Sequence, residues 1–202
     1  MKKIIAVITV ASALVLTGCS QVGAAATVGD TKITEAAIQK SIDAVLSERK
    51  KVDTAGMQLE TGANFNRNQL RFHLISVLVG KVVADMKISV TKAEIDARRA
   101  EILTQLGGEA NLPKALVSAG IASGDFDEYL QLILYSEKLA QAEIAAGVSE
   151  ADTGTAIQKL VVDKAKEIGV TVNPKYGKWD PATGDVLPLD AASPAATPAE
   201  TP

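Results

Sequence analysis

The feature that most narrows the fold is an apolar period of helical spacing that recurs in segment after segment of the chain. From about Glu35 to Lys50, Ile38, Ile42, Val45 and Leu46 form one stripe, while Gln39, Lys40, Asp43 and Glu48 fall off it. Residues three and four apart stack on one side of an α-helix, so such a stripe reads as a buried helix face. From about Asn66 to Met86, Leu74, Leu78 and Val82 are joined by Ile75, Val79, Val83 and Met86 in a broader face. Ile95, Ile102 and Leu106 repeat the pattern, as do Leu112, Ala115, Leu116 and Ala119 in a shorter segment. From Thr155 to Ile168 the stripe is Ile157, Leu160, Val161, Ala165 and Ile168. The pattern predicts a mostly α domain.

Punctuation between the stripes agrees with this. Thr91 and Glu94 have the spacing of a capping box, in which each side chain satisfies a backbone N–H at a helix start. Gly107-Gly108 and Gly120 follow periodic segments as C-cap glycines do. Ser123, and the stretch from Ser149 to Asp152, stand where N-caps are expected. The helix from about Asp125 to Ala146 is apolar around a wide arc: Phe126, Tyr129, Leu130 and Ile133 are joined by Leu132, Leu134, Tyr135 and Leu139. A helix of that kind is packed from several sides or keeps some surface for a partner. "DTAGMQLETGAN" has no clear period and reads as a connection. With only 3% aromatic residues, the core must be built mostly from Leu, Ile, Val and Ala.

A small β element is expected near the two domain ends. "AAATVGDTKIT" reads as two short strands around the turn pair Gly29-Asp30, and the strand near Val28 is expected to pair with Val170 to Val172. Beyond Gly169 the chain is extended and marked by Pro and Gly. Residues 181–202, ending in "AASPAATPAETP", are read as a disordered Pro/Ala/Thr-rich tail, with too little bulky apolar surface to offset ordering entropy.

At the other end, Lys2 and Lys3 precede a 13-residue apolar run, Ile4 to Leu16. As a helix it would cover about 20 Å, short of the roughly 30 Å hydrocarbon core, which is the layout of a signal peptide. The run closes on Leu16-Thr17-Gly18-Cys19, which resembles a bacterial lipobox and contains the one cysteine of the chain. The resemblance implies cleavage between Gly18 and Cys19 and a diacylglycerol on the Cys19 thiol. Two acyl chains on one residue suffice for stable membrane attachment, where one alone binds marginally. Residues 1–18 are then the signal peptide and 19–24 a lipidated tether, placing the protein at the extracytoplasmic face of a membrane. Removing residues 1–18, with two lysines and no carboxylate, shifts the formal net charge from −3 to −5, which offers no electrostatic case for nucleic acid.

No catalytic, metal or cofactor motif stands out. H-E-x-x-H, G-x-S-x-G, Walker and G-x-G-x-x-G patterns are all missing. The single histidine, His73, lies in an apolar helix without a cysteine or carboxylate four residues away and reads as structural. Asp125, Asp127 and Glu128 cluster at a helix start, where the helix dipole favours acids, and they are too few for a calcium loop.

The succession "VGDTKITEAAI", "ISVTKAEID", "LVSAGIASGDFDEYLQLIL" and "VTVNPKYGKWD" resembles the chaperone domain of the SurA/PrsA family of extracytoplasmic folding factors, over about residues 25–180. In that family a parvulin prolyl isomerase domain is commonly inserted before the last helix. Here the junction spans only about Val148 to Gly154, so the resemblance implies a chaperone domain without the isomerase. The expected function is an ATP-independent, non-enzymatic holdase without cofactor, binding unfolded or partly folded exported proteins. Phe126, Tyr129 and Leu130 are the candidate client-binding residues. The alternative is a scaffolding envelope lipoprotein that binds one specific protein partner.

Overall fold

The computed structural model describes residues 22–189. The expectations for the signal peptide, for Gly18 and Cys19 and for residues 190–202 lie outside that range. In chain order the elements are β1 (Ala24–Val28), β2 (Thr31–Thr34), α1 (Glu35–Arg49), α2 (Gly62–Asp85), α3 (Lys92–Gln105), α4 (Leu112–Ala119), α5 (Phe126–Ala145), α6 (Thr153–Ile168), β3 (Val170–Val172), β4 (Lys178–Asp180) and β5 (Asp185–Leu187). The protein is mostly α with small antiparallel β elements near its two ends, as the periodicity predicts.

β1 and β2 form a hairpin closed by Gly29-Asp30, with Val28 opposite Thr31. Gly29 takes φ of +59° and its N–H donates to the Gly169 carbonyl at 2.8 Å, so the turn is seated on the end of α6. Only glycine adopts that backbone without cost. β1 is also flanked by β3, with Val28 opposite Val170 and Ala26 opposite Val172. This is the pairing expected between the chain's two ends. Alanine favours helix, yet Ala24, Ala25 and Ala26 are strand residues, all buried. Their short side chains let α2 lie close over the sheet, a tertiary gain that outweighs propensity.

Two apolar cores result. The larger joins the sheet to α1, α2, α6 and the second half of α5, through Ile38, Ile42 and Val45, through Leu70, Leu74, Leu78 and Val82, and through Leu139, Val161 and Ala165. The smaller is Leu116, Phe126 and Leu130, flanked by Ile95, Ile102, Leu112, Ile121 and Tyr129. α3 buries no residue completely. It is held to α5 by Ile95 and Ile102 and by three ion pairs, Arg98–Glu137, Arg99–Asp127 and Lys138–Glu94.

The capping box forms as expected: the Thr91 side chain accepts from the Glu94 N–H, and a Glu94 carboxylate oxygen accepts from the Thr91 N–H at 2.7 Å. Other boundaries differ from the sequence reading. α2 starts at Gly62, ahead of Asn66, because Phe65 is buried at its first turn, an anchor that is tertiary and not periodic. Leu46 and Met86, assigned to apolar stripes, are 40% and 38% exposed at helix ends where no neighbour covers them. Ser123 and Ser149 open short 3-10 turns, and neither caps through its side chain; the Ser149 hydroxyl donates instead to Asp152.

The boundary of the tail at residue 181 is corrected. β4 and β5 form a second hairpin, with Trp179 opposite Val186, and Tyr176 and Val186 are both buried in the larger core. Val186 in the core and the Arg71–Asp185 ion pair tie down this polar stretch, which composition alone cannot reveal. Among the described residues no helix is long and apolar enough to cross a membrane.

Candidate functional site

α2 and α5 run side by side, and their registers decide which polar groups meet. Ser41 on α1, His73 on α2, and Asp125 and Glu128 at the head of α5 converge on one half-buried cluster. The Ser41 hydroxyl donates to Asp125 Oδ2 at 2.6 Å and lies 3.0 Å from His73 Nε2. His73 Nε2 is 3.7 Å from Asp125 Oδ2, and its Nδ1 is 3.6 Å from Glu128 Oε2. Burial pushes the Glu128 carboxyl up, but the facing His73 more than offsets this and leaves it below the usual carboxylate range. Sequence reading leaves His73 without a carboxylate; the fold supplies two, both from a helix some fifty residues further along the chain.

Serine, histidine and carboxylate in contact invite comparison with a hydrolytic triad, and the geometry argues against it. The Ser41 hydroxyl has one proton and directs it at Asp125, so towards His73 Nε2 it can only accept. A nucleophilic serine needs the reverse, an imidazole that takes its proton. Ser41 is also only 4% exposed, which leaves little room for a substrate carbonyl. The cluster is better described as a polar clasp that fixes α1, α2 and α5 relative to one another. Among the described residues no group of three or more His, Cys, Asp or Glu side chains could hold a metal ion.

Beside the clasp lies a cleft of about 290 Å³. Phe65 and Phe72 of α2 and Tyr129 of α5 supply its aromatic lining, and residues 118–122, at the end of α4 and in the turn after it, form one rim. Gln69, buried at the base, donates from Nε2 to the Gly120 carbonyl at 2.7 Å and locks that rim to α2. Across it, Arg49 at the end of α1 stacks over the Phe65 ring at 4.4 Å and donates from Nη1 to the Glu60 carbonyl at 2.8 Å. Asp125 is shared between the clasp and this cleft.

Two shallower clefts flank α5 and share Leu132. One, of about 460 Å³, runs between α2 and α3 past Val77, Gly80, Ile95 and Tyr135. The other, of about 390 Å³, is bounded by α2, α6 and the β4–β5 hairpin through Ile75, Val79, Ile157 and Val161.

Of the three candidate client-binding residues, only Tyr129 lines a cleft. Phe126 and Leu130 are corrected: they are 3% and 0% exposed, at the centre of the smaller core. Arg99 covers the outer face of Phe126, its guanidinium 4.7 Å from the ring centroid. Asp127 pairs with Arg99 and takes no part in the clasp. Arg49, Phe65, Gln69 and Phe72 were not singled out from sequence, because they come from separate segments and match no motif. The one available signal was that Phe65 and Phe72 share a helical face seven residues apart. The chain matches no protein-family model, no curated protein and no solved structure.

Proposed function

We propose that this protein is a lipid-anchored extracytoplasmic holdase that binds unfolded or partly folded exported chains without catalysis. The observation that carries the proposal is that two half-buried aromatic side chains, Phe72 and Tyr129, come together on one open cleft whose lining also includes the buried Phe65. Aromatic rings at a concave surface give large contact area at little conformational cost, which suits binding of bulky apolar side chains in succession. Affinity for each client is modest, because an unfolded partner must be ordered on binding. The order of sequence segments that resembles the SurA/PrsA chaperone domain supports the same reading.

The position of the cleft also fits a tethered binder. The Glu35 N–H at the head of α1 donates to the Gly23 carbonyl at 2.9 Å, so α1 begins next to the N-terminal end of the described chain. Arg49 closes α1 fourteen residues later, about 21 Å away at 1.5 Å per residue. The cleft therefore lies at the opposite end of α1 from the place where the described chain begins.

The test is light scattering of two or three unrelated denatured proteins diluted into buffer, with and without the chain from Ser20 onward, which contains both cores. Suppression of all of them is expected. Suppression of none, with saturable crosslinking in cells to a single protein, would replace this reading by the scaffold that binds one envelope partner.

A further inference from the structure

The aromatic cleft is short of positive charge. Its lining holds two carboxylates, Glu60 and Asp125, against one guanidinium, Arg49. That guanidinium is already engaged: it stacks over Phe65, donates from Nη1 to the Glu60 carbonyl and keeps its Nε buried without a partner. The side-chain amides of Asn68 and Gln69 are engaged too, with a carboxylate oxygen of Glu60 and with the Gly120 carbonyl.

The charged acceptors, by contrast, are only half used. Asp125 accepts from Ser41 and faces His73 through Oδ2, and Glu60 accepts from Asn68 through Oε2. Among the described residues nothing donates to the other oxygen of either carboxylate, although a carboxylate has about four lone-pair sites to fill. Both side chains reach solvent, Glu60 from an exposed position and Asp125 with 20% of its side chain exposed. His73 does not cancel this charge, because it stands between Asp125 and Glu128 and faces both. Phe72 and Tyr129, half-buried on the same cleft, add ring faces that attract a cation within about 6 Å of the centroid. About 290 Å³ is small for a cleft of this kind and suits one or two side chains, not a long segment.

Resting on the client-binding reading above, we infer that this cleft takes a basic side chain of a client, a lysine or arginine flanked by apolar residues. Its aliphatic stem lies against Phe72 and Tyr129, and its charged head meets the open oxygens of Asp125 and Glu60. A long apolar stem that ends in a cation is the side-chain type that satisfies both walls at once. The complementarity extends beyond the cleft, since a chain with a formal net charge of −3 draws basic segments towards it before contact.

The experiment is fluorescence anisotropy with an amidated heptapeptide that carries an uncharged label and a central lysine between leucines. In a second peptide norleucine replaces the lysine, keeping the stem without the ammonium, and in a third glutamate replaces it. The lysine peptide is expected to bind, and the norleucine peptide at least about tenfold more weakly, the scale of a lost charge-assisted hydrogen bond. The gap should narrow as salt is raised. Glu60→Gln keeps the backbone carbonyl that holds Arg49, and Asp125→Asn keeps an acceptor for Ser41; each should shrink the gap, with thermal unfolding confirming an intact fold. Ser118→Trp, from an exposed position on the cleft rim, should block the lysine peptide without touching either carboxylate. Equal binding of lysine and norleucine, a preference for glutamate, binding by none of the peptides, an unchanged gap in both carboxylate variants, or binding unaffected by Ser118→Trp would overturn the inference. Aggregation suppressed by a protein that ignores the lysine would sink this site alone; lysine-dependent binding without suppression would sink the holdase reading alone.

Discussion

The Ser41 hydroxyl on α1 reaches Asp125 at the head of α5 across 2.6 Å and a sequence separation of 84. The contact satisfies a carboxylate that α5 carries into a half-buried position and ties the first helix to the fifth. Ser41→Ala leaves that carboxylate short of a donor and is expected to cost about 1–3 kcal/mol, the penalty for stranding a partly buried polar group. Urea denaturation of the variant checks this. An unchanged midpoint would mean that solvent replaces the hydroxyl freely.

Phe126 is a core residue, and its loss should register in stability and not in client binding alone. Phe126→Ala removes the ring at the centre of the smaller core and is expected to destabilise by about 3–5 kcal/mol. Ser118→Trp, which fills only the cleft rim, should leave the thermal midpoint within a degree or two and still abolish suppression of aggregation. A pair of thermal melts beside the scattering assay separates the two.

Glu94 is held down to about 2 by Lys138 first and then by the Thr91 capping bonds, from an ordinary value of 4.5. Because its folded value is the lower one, the unfolded chain binds more protons between the two. The contribution is therefore complete above about pH 5 and lost as the pH falls towards 2. Glu94→Gln keeps a capping acceptor without the charge and should flatten that part of the stability profile. Thermal midpoints at pH 5.5 and 3 for both proteins give the comparison, with a smaller drop expected for the variant.

Gly177 takes φ of +140°, and a Cβ there would stand 2.3 Å from the Leu187 carbonyl oxygen. Gly177→Ala is expected to push β5 away and withdraw Val186 from the core. Trp179, the single tryptophan, lies on β4 and reports the change as a red-shifted emission. Ending the chain after Asp180 should lower the thermal midpoint, while removing Ala191 to Pro202 should leave it unchanged.

The proposed lipid anchor has a test of its own. Cys19→Ala should yield an uncleaved precursor without lipid, read as a larger band that incorporates no labelled palmitate. A normally sized product in the culture fluid would identify an ordinary signal peptide.

The helices, the Thr91–Glu94 capping box and the pairing of Val28 with Val170 are legible from residues alone, because each depends on information that is local or repetitive. A stripe such as Ile38, Ile42 and Val45 needs no partner to declare its face, and Thr91 with Glu94 closes its box within a single turn. Even the long-range strand pair could be expected from two short β-type runs at the ends of an otherwise helical chain.

Which face of α5 is core and which lines a cleft could not be read that way. Phe126, Tyr129 and Leu130 are equally apolar on a helix apolar over most of its circumference, and only the arrival of α3 and α4 assigns Phe126 and Leu130 to the interior. Likewise nothing near His73 predicts its two carboxylates, nor anything near Arg49 its stack on Phe65 and its unpaired nitrogen. Such groups meet only when helices from separate parts of the chain pack in one register. Periodicity states that a face is buried, and tertiary packing alone decides what it is buried against.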